Sequence, residues 1–419
     1  MEKTLRTRAV VAGRPPAISH VAPLRYFVLA LVCAFIALSA FPEASFWVSI
    51  GLLGYTYLGY PLLLGMIALL RRSPEDAIPH LPAVSILIAA HNEEQSIEQT
   101  VRNALKLDYP RNKLEVVVIS DGSTDRTDEI VEAIADPRVR SLRLPKQSGK
   151  TEAQNRAVQV CKGEIVVFSD ATTVYDPQAI RYLVRHYRDH RVGAVSGHYE
   201  YIRPDLATSA AIGTAIFWRY ENIVKRLQSK AGTMTGCSGC IYSVRRCLYT
   251  PLPPESCSDL VEPLAIVRKG RRVVFEPRAL AFETCSATVT EEFRMRVRVT
   301  AHGIDSLIAN SDLLNVFRHG WVSLQLLSHK VLRWMTPVFL LNALAMSAVL
   351  MARPVFRNVF IAQALFYGVS LLLAVAPRRG RWRMLGIPFQ FCALHAAVIV
   401  GVKEVISGKV YAVWRPVRN

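Results

Sequence analysis

Acidic residues are scarce in this chain of 419 residues. Lys and Arg together number 51 against 33 Asp and Glu, so the formal net charge is +18. Such an excess suits binding to nucleic acid, to an anionic membrane surface or to an anionic substrate. The sequence has no basic run interleaved with aromatic residues and no nucleic-acid-binding motif, so we expect no nucleic-acid partner. Many basic residues instead flank apolar stretches, as on the cytosolic side of membrane proteins.

The cysteines do not form the pattern of a zinc framework. There are 8 of them, and Cys237 and Cys240 form a C-x-x-C with no second pair at zinc-site spacing. We interpret this pair as small residues in a tight glycine-containing loop, with thiols kept reduced in the cytosol.

Long apolar runs are abundant, and they lie at the two ends of the chain. Residues 24–41 and 45–70 are each long enough to cross a membrane, and three further stretches lie near 335–352, 355–376 and 385–402. These stretches contain few charges, which argues against a transporter. Three C-terminal crossings would place the tail outside, whereas its basic residues predict the inside, so one stretch could be re-entrant or interfacial.

The distribution of apolar and polar residues predicts six regions. They are a basic cytosolic leader (1–23), a transmembrane hairpin (24–72), an α/β domain (81–312), an amphipathic helix region at the membrane surface (313–333), about three transmembrane helices (334–402) and a basic tail (403–419). A plain buried helix is the alternative for the fourth region.

The middle of the chain alternates between strand and helix patterns. Apolar, partly β-branched runs at 83–90, 114–120, 139–145 and 163–170 are separated by segments with helical spacing. This alternation predicts right-handed βαβ units and a mostly parallel sheet that is covered on both faces.

Polar residues follow each predicted strand. Glu93 comes after the first, Asp121 after the second, Lys150 after the third and Asp170 at the end of the fourth. In open parallel sheets, ligands bind outside the carboxyl ends of the strands. One acid there is often only a helix cap, but several acids on one rim predict a ligand site.

The motifs in this region resemble those of a known enzyme family. The segments "ILIAAHNEE", "VVVISDGSTDRTDEI", "SGKTEAQNRAV" and "IVVFSDATTVYDPQAI" resemble the successive motifs of family 2 glycosyltransferases with a GT-A fold. The segments "TGCSGCIYSVRR" and "SHKVLRW", with the flanking apolar spans, resemble its membrane-embedded polysaccharide-synthase branch.

The resemblance implies roles in binding a nucleotide-sugar. Asp121 would hold the uracil of a UDP-sugar, and the backbone near Ala90 and the acid Glu93 would help to seat the nucleotide. Lys150 would approach the diphosphate, and Asp170 would be the first acid of a D-x-D motif that binds Mg²⁺ or Mn²⁺.

This chain departs from the D-x-D pattern at its second acid. Thr172 stands where the second acid is expected. Because Mg²⁺ keeps several waters and often uses only one or two carboxylates beside phosphate oxygens, one acid can suffice.

The resemblance also implies a catalytic base. An inverting transfer needs a carboxylate to take the proton of the acceptor hydroxyl. Asp259 matches the second acid of the motif's acid pair, and Ser258 replaces the first. A helix cap is the alternative role for Asp259, and Glu262 is a weaker candidate for the base.

Two further regions are implied to contact the substrates. Gly236, Ser238 and Gly239 would line the acceptor site, although a tight turn with no ligand is equally compatible with these residues. The Q-x-x-R-W motif of processive synthases is missing, and Arg296 or Arg298 could replace its contact with the diphosphate.

We therefore expect an integral protein of the bacterial inner membrane, with a cytosolic catalytic domain. It would be a metal-dependent, inverting glycosyltransferase that moves a UDP-hexose or UDP-N-acetylhexosamine sugar to a growing polysaccharide or a lipid-linked acceptor. The alternatives are single-sugar transfer to a polyprenyl phosphate, and an inactive scaffold that retains the fold. The sugar, the linkage, processivity and the oligomeric state are not predicted.

Overall fold

A computed structural model describes six parts of the chain: residues 40–71, 80–202, 209–284, 289–375, 386–409 and residue 411. The predicted basic leader and nearly all of the first predicted span lie outside these residues, as does most of the basic tail.

Eight strands form one sheet. They are β1 (Val84–Ala90), β2 (Leu114–Ser120), β3 (Val139–Arg143), β4 (Ile165–Asp170), β5 (Val174–Tyr175), β6 (Val192–Ile202), β7 (Ile241–Arg245) and β8 (Arg272–Thr284).

Twelve helices accompany the sheet in the described segments. They are α1 (Pro42–Leu69), α2 (Ile97–Leu105), α3 (Thr127–Glu132), α4 (Lys150–Val158), α5 (Ala179–Val184), α6 (Ser209–Ala231), α7 (Ser258–Arg268), α8 (Val289–Ile308), α9 (Val316–His319), α10 (Trp321–Val349), α11 (Pro354–Val375) and α12 (Gly386–Ile406).

The strand order is β3-β2-β1-β4-β7-β6-β8-β5. The first four strands pair in parallel, as their apolar runs predict, and β1 is buried along its whole length. The second half is mixed, because β7 is antiparallel to both β4 and β6, while β6 is parallel to β8. The carboxyl ends of β1, β2, β4, β6 and β8 therefore share one edge of the sheet with the amino end of β7. We call this edge the rim.

Apolar side chains cover both faces of the sheet, as predicted. On one face, Ile97 and Val101 of α2 pack against the strands. On the other, Phe168 of β4 stacks on Tyr242 of β7 with ring centroids 4.6 Å apart. This two-sided core holds the strand ends rigidly in register.

Four helices are long and apolar enough to cross a membrane: Pro42–Leu69, Trp321–Val349, Pro354–Val375 and Pro388–Ile406. They coincide with the second predicted N-terminal span and the three predicted C-terminal spans. Large apolar side chains on their outer surfaces are exposed, among them Leu62, Leu365 and Leu372, and such surfaces suit contact with lipid.

Residues 313–333 differ from the expected surface helix. Val316–His319 is one short helix, and Trp321 already begins the long helix α10. A π-helical turn at Leu327–Val331 lies within α10, so the segment "SHKVLRW" belongs to a candidate span.

Candidate active site

Asp121 at the end of β2 is a buried carboxylate bound by backbone amides. Its Oδ1 accepts a hydrogen bond from the Ser148 N–H (2.6 Å), and its Oδ2 accepts one from the Gly149 N–H (2.9 Å). The Asp121 N–H in turn donates to the carbonyl oxygen of Ala90 (2.8 Å). Gly122 has φ +62°, and a Cβ there would lie 2.7 Å from backbone atoms of the neighbouring loop, so this turn requires glycine.

The loop after β1 is tied to the loop after β2. Asn92 has a positive φ of 54°, uncommon outside glycine, and its Oδ1 accepts a hydrogen bond from the Thr124 N–H (2.8 Å). Glu93 is buried, and its Oε2 accepts a hydrogen bond from the Ser96 hydroxyl (2.8 Å). The predicted nucleotide-seating residues thus lie in a fixed, polar part of the rim.

Lys150 begins α4, and its ammonium forms an ion pair with Asp170. Burial disfavours the charged form of Lys150, but the negative charges of Asp170 and Asp259 oppose this and raise the pKa of Lys150 above its ordinary value. Asp170 and Asp259, from separate segments, therefore both lie within electrostatic reach of Lys150.

A second carboxylate lies near Asp170, and sequence reasoning missed it. Glu283 of β8 accepts hydrogen bonds from the hydroxyls of Thr173 (2.6 Å) and Tyr199 (3.1 Å). Burial, followed by the charge of Asp170, raises its pKa. The Thr172 hydroxyl also points to Glu283, with its Oγ1 3.4 Å from Oε1. A carboxylate from another strand therefore lies beside the Thr172 position.

The sequence contained a signal for this acid. The apolar run "ALAF" (279–282) is followed directly by the acid Glu283, much as the apolar residues of β4 lead to Asp170. The pairing of β5 with β8 sets Val174 opposite Phe282, which brings Glu283 beside the turn that follows Asp170.

Asp259 lies in the first turn of α7, but it does not cap the helix. The cap position belongs to Cys257, with no side-chain cap hydrogen bond. The Cys257 thiol donates to Asp259 Oδ1 (2.8 Å), and a Cβ on Gly239 would lie 3.0 Å from Asp259 Oδ2. The carboxylate is therefore directed at the loop of residues 235–240, which precedes β7, and it is partly exposed.

Glu262, the weaker candidate, is fully buried one turn further along α7. Neither carboxylate oxygen has a well-formed hydrogen bond with a described residue, and burial raises the pKa of Glu262 to about 8. Glu262 is therefore a buried and mostly protonated acid at neutral pH, unlike the partly exposed Asp259.

The loop of residues 235–240, which we call the glycine loop, leads into β7 at the rim. The Cys237 N–H donates to the carbonyl oxygen of Asp259 (2.8 Å), which holds the loop against α7. Ser238 is buried, and its hydroxyl oxygen accepts a hydrogen bond from the Lys225 ammonium (2.9 Å). Burial raises the pKa of Cys237 and of Cys240, so both remain neutral thiols.

The two predicted arginines of α8 point to different places. Burial lowers the pKa of Arg298, and the charge of Asp170 acts in the opposite sense, so Arg298 lies within electrostatic reach of the rim. Arg296 instead pairs with Glu292 (2.8 Å) and lies 4.4 Å from the ring centroid of Phe217. Arg296 therefore packs against α6, and Arg298 is the better placed of the two.

Trp218 and Tyr220 of α6 are half-buried and pack against neighbouring elements. Trp218 meets Tyr199 edge to face at 5.0 Å. The Tyr220 hydroxyl donates to the carbonyl oxygen of Tyr57 in α1 (3.3 Å).

Comparisons with known proteins show what this chain is similar to. The family model "Glycosyl transferase family 2" matches residues 85–249. A poly-beta-1,6-N-acetyl-D-glucosamine synthase of Staphylococcus aureus is 27% identical over 245 residues, which span 57% of this chain and 59% of the relative. The corresponding synthase of Staphylococcus epidermidis is 28% identical over 231 residues, covering 54% of this chain and 55% of its own length.

A solved structure shares the fold. It is a mannosyltransferase from Pyrobaculum calidifontis in complex with GDP-Man and Mn²⁺. The two structures align with a TM-score of 0.63 at 23% identity, over 86% of this chain and 98% of the other.

Proposed function

We propose that this chain, a membrane protein with a family 2 glycosyltransferase domain of the GT-A fold, transfers a hexose or N-acetylhexosamine from its UDP-sugar with inversion. The acceptor is a growing polysaccharide or a lipid-linked sugar, as its relation to polysaccharide synthases favours. The observation that carries this proposal is the approach of Lys150, Asp170 and Asp259 at one rim, next to the buried Asp121.

Asp121 is suited to reading a nucleobase. An ionised carboxylate only accepts hydrogen bonds, and each oxygen keeps a lone pair beyond the one used by a backbone amide. The N–H of uracil fits such an acceptor, and so does that of guanine. Ala90 and Glu93 line the adjacent turn, where they seat the nucleotide.

The donor set fits a hard divalent cation. Asp170 and Glu283 offer carboxylate oxygens, which Mg²⁺ and Mn²⁺ prefer. No group of three or more acidic, histidine or cysteine side chains in the described segments is arranged to hold a metal, so the diphosphate and water must supply the other ligands. A bound cation would stabilise the negative charge of the departing diphosphate.

Asp259 performs the proton transfer in this proposal. The acceptor hydroxyl attacks the anomeric carbon and gives its proton to the Asp259 carboxylate, while the bond from that carbon to the diphosphate oxygen breaks. The electron pair of the broken bond leaves with UDP, next to the cations Lys150 and Arg298. The glycine loop, with Gly236, Ser238 and Gly239, lets the acceptor approach Asp259 closely.

An inactive scaffold explains the site less well. The absence of acids at positions 172 and 258 would suggest that catalytic function has been lost. However, Glu283 provides a carboxylate at the proposed cation site, and the thiol of Cys257 still orients Asp259. Single transfer to a polyprenyl phosphate remains the alternative within enzymes.

A donor screen tests the proposal. Purified protein in lipid vesicles is incubated with radiolabelled UDP- and GDP-sugars, with and without Mn²⁺, and nucleotide release and product length are measured. We expect release from a UDP-sugar that requires the metal. Turnover of no donor would support the scaffold, and turnover that is insensitive to chelators would exclude the cation site.

A further inference from the structure

Two lysines from helices outside the sheet converge on the glycine loop. Lys225 of α6 is 6% exposed, and among the described residues its only hydrogen-bond partner is the Ser238 hydroxyl (2.9 Å). Lys330 of α10 approaches the other end of the loop. A Cβ built on Gly236 would lie 4.0 Å from its Nζ and 3.9 Å from the carbonyl oxygen of Asp259. Both ammonium groups thus lie beside the proposed acceptor site.

These lysines share the charge of one buried acid, Glu221, with other basic groups. Neither lysine forms an ion pair with any residue that the structure describes. Glu221 is already bound by Arg333 (2.5 Å) and His329 (3.2 Å). Glu221 therefore faces four basic side chains, and the local excess charge is positive.

Burial makes this excess energetically costly. A charged group away from water is destabilising unless an opposite charge or several hydrogen bonds accompany it. Burial lowers the pKa of Lys225; Glu221 opposes that effect, and the charge of Lys330 adds to it. An anionic group between the two lysines would remove the cost.

The lysines also lie where the sheet domain meets the candidate membrane helices. Lys330 is in the π-helical turn Leu327–Val331 of α10, and α1 contains a second such turn at Tyr55–Gly59. The two turns touch, since the hydroxyl oxygens of Tyr55 and Ser328 are 2.8 Å apart. Single π-helical turns inside α-helices occur frequently at functional sites.

We propose that Lys225 and Lys330 bind the phosphate group of a lipid-linked acceptor and so position its reacting end before Asp259. The inference rests on the proposed function and names the class of its acceptor. The hydrocarbon chain of such a molecule lies in the bilayer, while its phosphate lies at the membrane surface. An acidic polysaccharide would approach from the water side and would not require a cation on an apolar helix.

Ligand binding without a sugar donor tests this inference separately from activity. The protein is placed in phosphatidylcholine nanodiscs and titrated with octyl phosphate, octyl glucuronide, octyl glucoside and inorganic phosphate, and binding is followed by thermophoresis. We expect octyl phosphate to bind most tightly. Lys330→Met should weaken its binding about tenfold or more, the usual effect of removing a charge-assisted hydrogen bond, and Lys330→Arg should retain it.

Control variants distinguish the loss of charge at this site from a general loss of positive charge and from misfolding. Lys162→Met removes an exposed lysine at the opposite edge of the sheet and should leave binding unchanged. Lys225→Met should also weaken the binding of octyl phosphate. If this variant of a buried residue does not fold, the result for the half-buried Lys330 tests the inference by itself.

Three results would overturn the inference. Tighter binding of octyl glucuronide would indicate an acidic glycan, and equal binding of inorganic phosphate would exclude a lipid source. Equal binding of octyl phosphate by wild type and Lys330→Met would remove the lysine from the site. Because no donor is present, each result holds whether or not sugar transfer is found.

Discussion

Two acids in one helix show how position decides chemistry at the scale of a residue. Asp259 and Glu262 are three positions apart in α7, yet Asp259 faces the glycine loop and Glu262 faces the core. A partly exposed carboxylate can take a proton from a substrate. A buried acid with a raised pKa is mostly protonated at neutral pH and cannot serve as a base on the rim.

Glu262 should make the protein less stable as the pH rises. Its pKa is about 8 in the folded state against an ordinary value of 4.5, so between these values the folded chain holds a proton that the unfolded chain releases. The contribution is fully present below pH 4.5 and is lost as the pH passes 8. In thermal unfolding scans, Glu262→Gln should raise the Tm more at pH 8 than at pH 5.5 and should keep activity. Loss of transfer in this variant would restore Glu262 as a candidate base.

Glu283 should contribute to the use of the cation. Replacing one of two carboxylates by an amide weakens cation binding. The amide oxygen can still accept from the Thr173 hydroxyl, while the amide NH2 can donate to the Tyr199 hydroxyl oxygen. We expect Glu283→Gln to raise the Mn²⁺ concentration for half-maximal activity about tenfold, a typical consequence of altering a metal site's ligand environment. Glu132→Gln, on the exposed surface of α3, is the matched control. An unchanged Mn²⁺ requirement would leave Asp170 as the sole protein ligand.

At the scale of elements, the sequence predicts some strands better than others. The runs that became β1, β2 and β4 are continuously apolar because both faces of the central sheet are covered, and their acids could be placed on one rim. The antiparallel insertion of β7 was not predictable in this way. The direction of β7 depends on the path of the chain through α6 and the glycine loop. The apolar pattern of a strand does not encode that path.

The candidate site was predictable only where short motifs carry it. Asp121, Asp170 and Asp259 follow or begin recognisable segments, so their types and order indicated their roles. Glu283 reaches Asp170 through the β5–β8 pairing of segments more than 100 positions apart in the sequence. Arg296 and Arg298 lie on different sides of the same helix, and the sequence pattern alone did not predict which of them faces the rim.

Gly239 should be required for activity more than for folding. An alanine Cβ would lie 3.0 Å from Asp259 Oδ2, so the carboxylate must rotate away from the acceptor. We expect kcat to fall about 10- to 100-fold, since small misplacements of a catalytic group have effects of this size. The Tm should change little. Gly368→Ala, in α11 with no atom within 4 Å of the added carbon, is the control. A lower Tm with unchanged kcat would mean that the glycine serves packing alone.

At the scale of the whole molecule, buried polar contacts join the sheet domain to the membrane helices. Glu221 of α6 binds Arg333 and His329 of α10, and Gln228 of α6 donates to the Tyr60 hydroxyl of α1 (2.8 Å). These contacts hold α6 against two of the candidate membrane helices, so they set how the sheet domain is oriented relative to those helices.

Breaking this interface should destabilise the protein. Glu221→Gln leaves Arg333 buried without its counter-charge, and removing one partner of a buried pair typically costs about 3–5 kcal/mol. Thermal unfolding in detergent should show a clearly lower Tm. The exposed pair Glu43–Arg353 gives the comparison, because Glu43→Gln should change stability by less than about 1 kcal/mol. Equal effects of the two variants would show that the buried contacts do not hold the domain in place.

The rate of sugar transfer by Asp259→Asn tests the account most directly. The change removes the base without altering the size of the side chain, so transfer from a UDP-sugar should fall about 10²- to 10⁴-fold. Binding of UDP with Mn²⁺ and the Tm should remain as in the wild type, and Asp108→Asn, an exposed residue away from the rim, should transfer normally. Transfer at the wild-type rate by Asp259→Asn would contradict the account.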